Sequence, residues 1–237
     1  MSVAAVAANA AVLVSNTSQT GFRYNAGNAA HITFDDAPIA VGALAGQPNV
    51  KPTAVTVGIR RVGGAAATDV TLFTAAFDNS FNIIGSSIKN LGTASLGVQA
   101  ASATVLVTAN VITPYEIPLI GDANYGYMAV GVALSETASG LNGWRITNNM
   151  SIPGYGGASN ATNVAGAAPN LNVFWDYDTG TNTQTQFSFG FTGANQATNP
   201  PASFYALVEG TAVPEPGTVL AMIGGLSVLG LRRRNRK

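Results

Sequence analysis

The sequence predicts an all-β fold, a β-sandwich of jelly-roll type, followed by a short hydrophobic helix near the C-terminus. Three observations carry this expectation. Charged residues make up only 9% of the 237 residues, against about a quarter in ordinary globular chains. Gly, Asn, Ser and Thr fill the polar positions instead, which suits strands with neutral outer faces and not surface helices rich in Glu, Lys and Arg. The apolar period in the body is two, and turn-forming residues break it every ten residues or so.

The first strand is expected at Ala11–Asn16. Val55, Val57 and Ile59 alternate with Thr56, Gly58 and Arg60; Val70, Leu72 and Thr74 alternate with Thr71, Phe73 and Ala75. Phe187, Phe189 and Phe191 alternate with Gln186, Ser188, Gly190 and Thr192, the cleanest in-and-out pattern of the chain. Further strands are expected near 31–36, 103–111, 125–135, 143–148, 171–177 and 203–209. Turns are expected at Gly63-Gly64, Asn142-Gly143, Asp178-x-Gly180, Gly193-Ala194-Asn195 and Pro200-Pro201. Ile84–Ala101 reads as irregular with room for a short strand or a small helix. Ser151–Pro169, rich in Gly, Ala and Asn, reads as a long loop.

Composition bounds the chemistry. There is no cysteine, so disulfides, thiolate metal sites and Cys nucleophiles are excluded. His31 is the only histidine, and no Gly-x-Ser-x-Gly elbow presents a serine to it; a satisfied strand histidine is the better reading. A zinc site built on two or three histidines is likewise ruled out. Five of the 11 basic residues fall in the last six positions, leaving six basic groups against 11 acidic ones in the rest. A mildly acidic body does not suit nucleic acid, which calls for a basic face.

Carboxylates on turns are the remaining candidates. Asp176 and Asp178 sit in Asp-Tyr-Asp-Thr-Gly, and Asp122 opens Asp-Ala-Asn-Tyr-Gly. Calcium takes six to eight hard oxygen ligands, so Asp122, Asp176 and Asp178 are candidate ligands for it; neither run has a distal bidentate Glu, and turn initiation explains the same residues. Asp35-Asp36 is expected to end a strand. Trp175, Tyr177 and Trp144 are candidate stacking faces for a sugar ring, weighed against the commoner fate of such residues as core. No other cofactor is expected.

The C-terminal segment is the most specific part. After Val213 come Pro214, Glu215 and Pro216, whose prolines fix φ and remove two amide donors. An uncharged run then extends from Val219 to Leu231, within an expected hydrophobic helix over 218–231. It includes Val219, Leu220, Ile223, Leu226, Val228, Leu229 and Leu231. A helix of 13 residues spans about 20 Å against about 30 Å of hydrocarbon, so it is short for a permanent anchor. Gly224 and Gly225 and the lack of a polar stripe argue against a soluble amphipathic helix. Arg232, Arg233, Arg234, Arg236 and Lys237 form a basic stop that stays in the cytoplasm and leaves the body outside.

The order Pro-Glu-Pro, short apolar segment, arginine cluster resembles the PEP-CTERM sorting domain. The resemblance covers Val213–Lys237 and implies recognition by exosortase, a membrane transpeptidase-like enzyme, with a cut near Pro214–Pro216. It also implies export, transient inner-membrane anchoring, and a final place at the cell surface or outside the cell.

The expected organisation is a remnant of a signal peptide at 1–10, a sandwich at 11–212 and the sorting tail at 213–237. Ala8-Asn9-Ala10 fits a signal-peptidase site, but no basic residue precedes Arg23, so a basic leader is expected upstream of Met1. Two functions fit: a non-enzymatic structural or adhesive envelope protein that contacts glycan of the exopolysaccharide layer, or an exported carboxylate-dependent glycan hydrolase, which needs two acids across a bond.

Overall fold

In the computed structural model, the described residues are 10–16, 23–24, 30–40, 48–121, 125–135, 142–147, 173–188 and 203–213. They are nearly all strand, in two antiparallel sheets. The strands are β1 (Ala11–Asn16), β2 (Arg23–Tyr24), β3 (His31–Ala40), β4 (Asn49–Arg61), β5 (Thr68–Ala75), β6 (Lys89–Leu96), β7 (Ala103–Asn110) and β8 (Ile117–Pro118). They continue with β9 (Ile120–Gly121), β10 (Tyr125–Leu134), β11 (Asn142–Thr147), β12 (Val173–Asp178), β13 (Thr183–Ser188), β14 (Ser203–Phe204) and β15 (Ala206–Val213). A single 3-10 turn, Gly85–Ser87, interrupts the described strands.

The first sheet runs β1-β15-β4-β11-β14, with β7 and β8 on the other side of β4 and β2 on β11. The second runs β13-β12-β3-β10-β5-β6, with β9 on β10. Strand β4 is the spine of the first sheet. Along one edge it pairs with β15 as far as Val57↔Ala206 and with β11 from Ile59↔Trp144. The change of partner falls at Gly58. Tyr205, between β14 and β15, lies over it, and a Cβ at Gly58 would come within 2.8 Å of the Tyr205 ring. The Tyr205 carbonyl accepts from Gly58 N at 3.4 Å and from Trp144 Nε1 at 2.9 Å. Glycine there lets one carbonyl close the corner.

The sheets face each other across the main core. Val55, Val57, Ile59, Val208 and Trp144 from the first meet Val70, Leu72, Val130, Val132 and Phe174 from the second. Trp144 stacks on Phe204 at 4.3 Å and 12°, and Phe174 meets the same ring edge-on at 4.7 Å. The second sheet is also apolar on its outer face. Ile32, Phe34, Ala129, Ala133, Trp175 and Tyr177 form a second cluster there with Phe77 and Ile83. The segment following β5 folds back over that face. Ser87 holds it, accepting from Ala76 N at 2.8 Å and donating to Ile84 O at 2.7 Å.

Two elements depart from expectation. Asn142-Gly143 is not a turn: Asn142 opens β11, is fully buried and accepts from Arg61 Nε at 2.6 Å. That guanidinium is itself buried, and its Nη2 donates to Ala66 O at 2.7 Å. A buried arginine needs such acceptors, and this need outweighs the turn preference of Asn-Gly. Asp35-Asp36 does not end a strand but lies in the middle of β3. Ile84–Ala101 contains both a short helical turn and strand β6. The hairpin at Asp178–Gly180 and the turn at Gly63-Gly64 are present. Phe189, Phe191, the loop Ser151–Pro169, the turns at 193–195 and 200–201, and the helix expected over 218–231 lie outside the described residues. Among the described residues, no helix is long and apolar enough to cross a membrane.

Candidate functional site

Strand β15 leads directly into the Pro-Glu-Pro segment, and its register fixes where that segment leaves the sandwich. Ala212 pairs with Val50 and Val213 with Asn49, whereas β1 reaches only as far as Gly210. The last three residues of β15 therefore run past β1 and are held by β4. On the far side of β4, β8 pairs at the same level, Pro118 with Asn49. Lys51 and Glu116 form an ion pair at 3.0 Å beside this exit, both side chains half-exposed. Residues 214–237, with the motif Pro214, Glu215 and Pro216, the apolar run and the basic tip, lie outside the described residues.

The aromatic candidates are corrected by burial. Trp144 and Trp175 are fully buried and Tyr177 is 4% exposed, so none of them offers a face to a sugar. Trp144 belongs to the main core. Trp175 packs against Phe77 at 4.8 Å under the covering segment, and Tyr177 meets Phe34 edge-on and donates to Asn182 Oδ1 at 3.3 Å. Strand β12 is buried on both faces, Phe174 toward the main core and Trp175 and Tyr177 under the covering segment.

The acidic candidates are not brought together. Asp178 Oδ1 accepts from Gly180 N at 2.7 Å and Thr181 N at 3.2 Å, closing the hairpin turn. The Gly180 amide is the main reason its carboxyl titrates below the ordinary range. Asp176 instead faces His31, with Nδ1 3.2 Å from both carboxylate oxygens. His31 is thus a satisfied strand histidine, and no hydroxyl among the described residues is hydrogen-bonded to its ring. Asp122 lies outside the described residues. Among the described residues, no group of three acidic or histidine side chains is placed to hold a metal ion.

Asp35 and Asp36, adjacent on β3, point to opposite faces of the second sheet. Asp35 stands opposite Val130 on the core face and reaches across the sandwich, where its Oδ2 accepts from Phe204 N at 2.8 Å. Asp36 stands opposite Ala129 on the outer face, and neither carboxylate oxygen has a hydrogen-bond partner among the described residues. Both side chains are 3% exposed. Burial first, and the neighbouring Asp35 second, hold the Asp36 carboxyl well above the ordinary carboxylate range. Two acids back to back on one strand cannot flank a substrate bond. Their signal in the sequence was an acid pair inside a run that apart from Thr33 is apolar, Ile32 to Ile39.

Comparison with known proteins bears on the tail. No curated protein matches the chain. Among solved structures it is similar to a chain in the structure of infectious bursal disease virus, Gx strain, at 12% identity and a TM-score of 0.28. That match covers 95% of this chain and 48% of the other, so the chain spans about half the length of that one. Residues 212–237 match the family described as the PEP-CTERM protein-sorting motif, beginning inside β15. The chain therefore carries a PEP-CTERM sorting tail, the mark of an exported protein that exosortase processes at the membrane on its way to the cell surface.

Proposed function

We propose that this chain is a non-enzymatic structural or adhesive component of the cell envelope, a β-sandwich displayed outside the cell after its tail has been anchored and processed. The observation that carries the reading is the position of the sorting motif. It begins inside β15, a strand within the first sheet, so the sorting segment is attached to the body at a strand that neighbours hold on both sides. In this reading the run Val219–Leu231 lodges in the inner membrane as a short helix, stopped by the arginines, until exosortase cuts near Pro214–Pro216.

Contact with exopolysaccharide, if the body makes it, falls to the outer faces and not to the buried tryptophans. Those faces carry cross-strand threonine pairs, Thr56 with Thr108 at 2.7 Å and Thr71 with Thr93 at 2.8 Å, both exposed. Neutral hydroxyl rows suit weak, repeated hydrogen bonding to glycan and need no charge complement. The hydrolase alternative loses its best acid pair, because Asp35 and Asp36 are core residues on opposite faces.

The test is cell fractionation of the intact chain and of a chain ending at Val213, which keeps β15 whole. The intact chain is expected in the membrane first and then, shortened, at the surface or in the medium. The shortened chain should never pass through the membrane fraction. Identical location and identical mass after processing for both would refute the proposal.

A further inference from the structure

We infer that the end of the sandwich from which the tail leaves is a lipid-contacting surface, with the loop Val111–Glu116 and exposed Ile112 resting on the bilayer while the tail is anchored. This rests on the anchoring reading above. Between Val213 and the first residue of the apolar run, Val219, stand only five residues, which extend to at most about 20 Å. The Asn49 end of β4 is never farther than that from the lipid. Arg61, at the other end of β4, is twelve residues away, about 40 Å along a strand.

The Val111–Glu116 loop belongs to the near end. Val111 N donates to Thr53 O at 2.8 Å, four residues from Asn49, and β8, which follows the loop, lies about 10 Å from β15 with β4 between them. Ile112 at its tip is 94% exposed, the most exposed large apolar side chain among the described residues. A bare isoleucine is costly in water and gains on entering a headgroup–acyl boundary. The only two lysines ahead of Lys237 are also here. Lys51 is two residues from Asn49, and exposed Lys89 stands opposite Thr74, whose hydroxyl is bonded to Tyr115 of the same loop at 2.5 Å. Glu116 already pairs with Lys51 at 3.0 Å, so Lys89 is the cation beside the exposed apolar tip that fits a surface of anionic headgroups.

Absence of cysteine makes the test clean. The full chain would carry one cysteine, Ile112→Cys or Val98→Cys, labelled with a polarity-sensitive fluorophore and reconstituted into vesicles of phosphatidylcholine and phosphatidylglycerol with a spin-labelled quencher lipid. Val98, 78% exposed, precedes Gln99, which bridges to Ala65 in the turn beyond Arg61, and so reports on the far end. The expected result is blue-shifted emission and several-fold stronger quenching at position 112 than at 98, lowered by Lys89→Gln. Equal signals at the two positions in chains that float with the vesicles would overturn the inference and leave the anchoring reading intact; a protein partner at this end would give that outcome. Failure of the chain to float would overturn the anchoring reading, and the inference with it.

Discussion

Asp36 makes the body of this protein more stable in acid than at neutral pH. Its carboxyl is buried on the outer face of the second sheet, opposite Ala129, without a hydrogen-bond partner among the described residues. The titratable group that acts on it is the Asp35 carboxyl, which is never cationic. Its folded pKa is raised above the ordinary value of 3.8, by burial first and by Asp35 second. A raised carboxyl favours the folded state while it is protonated. Its contribution is fully present below about pH 3.8 and is lost as pH rises toward the folded value, with a slope of up to about 1.4 kcal/mol per pH unit. Asp78 and Asp178 act the other way. Their carboxyls are lowered, chiefly by the Asn82 and Gly180 amides respectively, so their contribution is present above 3.8 and fades below it. Stability should therefore peak near pH 4, below the usual range of about 5 to 8. Urea unfolding of the full chain in mild detergent, followed by the emission of the two buried tryptophans, measures this from pH 3 to 8. Asp36→Asn should flatten the limb above pH 4. In acid it should lie close to wild type, since a protonated carboxyl and its amide isostere are both neutral and both buried, and near neutrality it should be more stable. A wild-type midpoint that climbs from pH 4 to 7, or an Asp36→Asn protein with the wild-type slope, would refute the reasoning.

Two substitutions test the core. Asn142→Ala removes the acceptor of Arg61 Nε while Ala66 O keeps Nη2, so a loss of about 2–3 kcal/mol is expected for one charged hydrogen bond in a buried site; a change under half that in chemical denaturation would mean that water replaces the amide. Gly131→Ala places a Cβ 2.5 Å from the Phe34 ring and 2.9 Å from Ile32 in the middle of β10, an overpacking worth about 1–3 kcal/mol. Combining it with Phe34→Leu should cost less than the two single changes added together, and strict additivity would show that the ring is not the obstacle.

How much of this was legible in the sequence depends on how many faces of a strand are buried. Strands with one core face kept their period: in β4, Val55, Val57 and Ile59 point inward while Thr56 and Arg60 stay half-exposed, and β1 occupies the residues expected of it. The central strands of the second sheet, β3, β10 and β12, hide both faces, so there the alternation no longer separates inside from outside. Phe174 and Trp175, on opposite sides of one strand, are equally buried. That is why Trp175 and Tyr177 looked available for a ligand. Nothing in the local pattern announces the segment after β5 that covers them, since its hold is a Ser87 hydroxyl, the Ile83 amide on Gln184 Oε1, and ring contacts of Phe77 with Trp175 and of Phe81 with Tyr127. The acid pair failed to read correctly for the same reason. Asp35 is tolerated because a backbone amide from a strand 169 residues away meets it, a partner that no spacing reveals. The tail was legible because its chemistry is local: prolines, an uncharged run and a cation cluster act in sequence order, and a membrane reads them without any fold. What sequence order withheld is where that tail leaves the body, and this follows from one register fact, Val213 opposite Asn49. Ile112, Lys51 and Lys89, scattered over sixty-odd residues, come together at the end of the molecule from which the tail leaves.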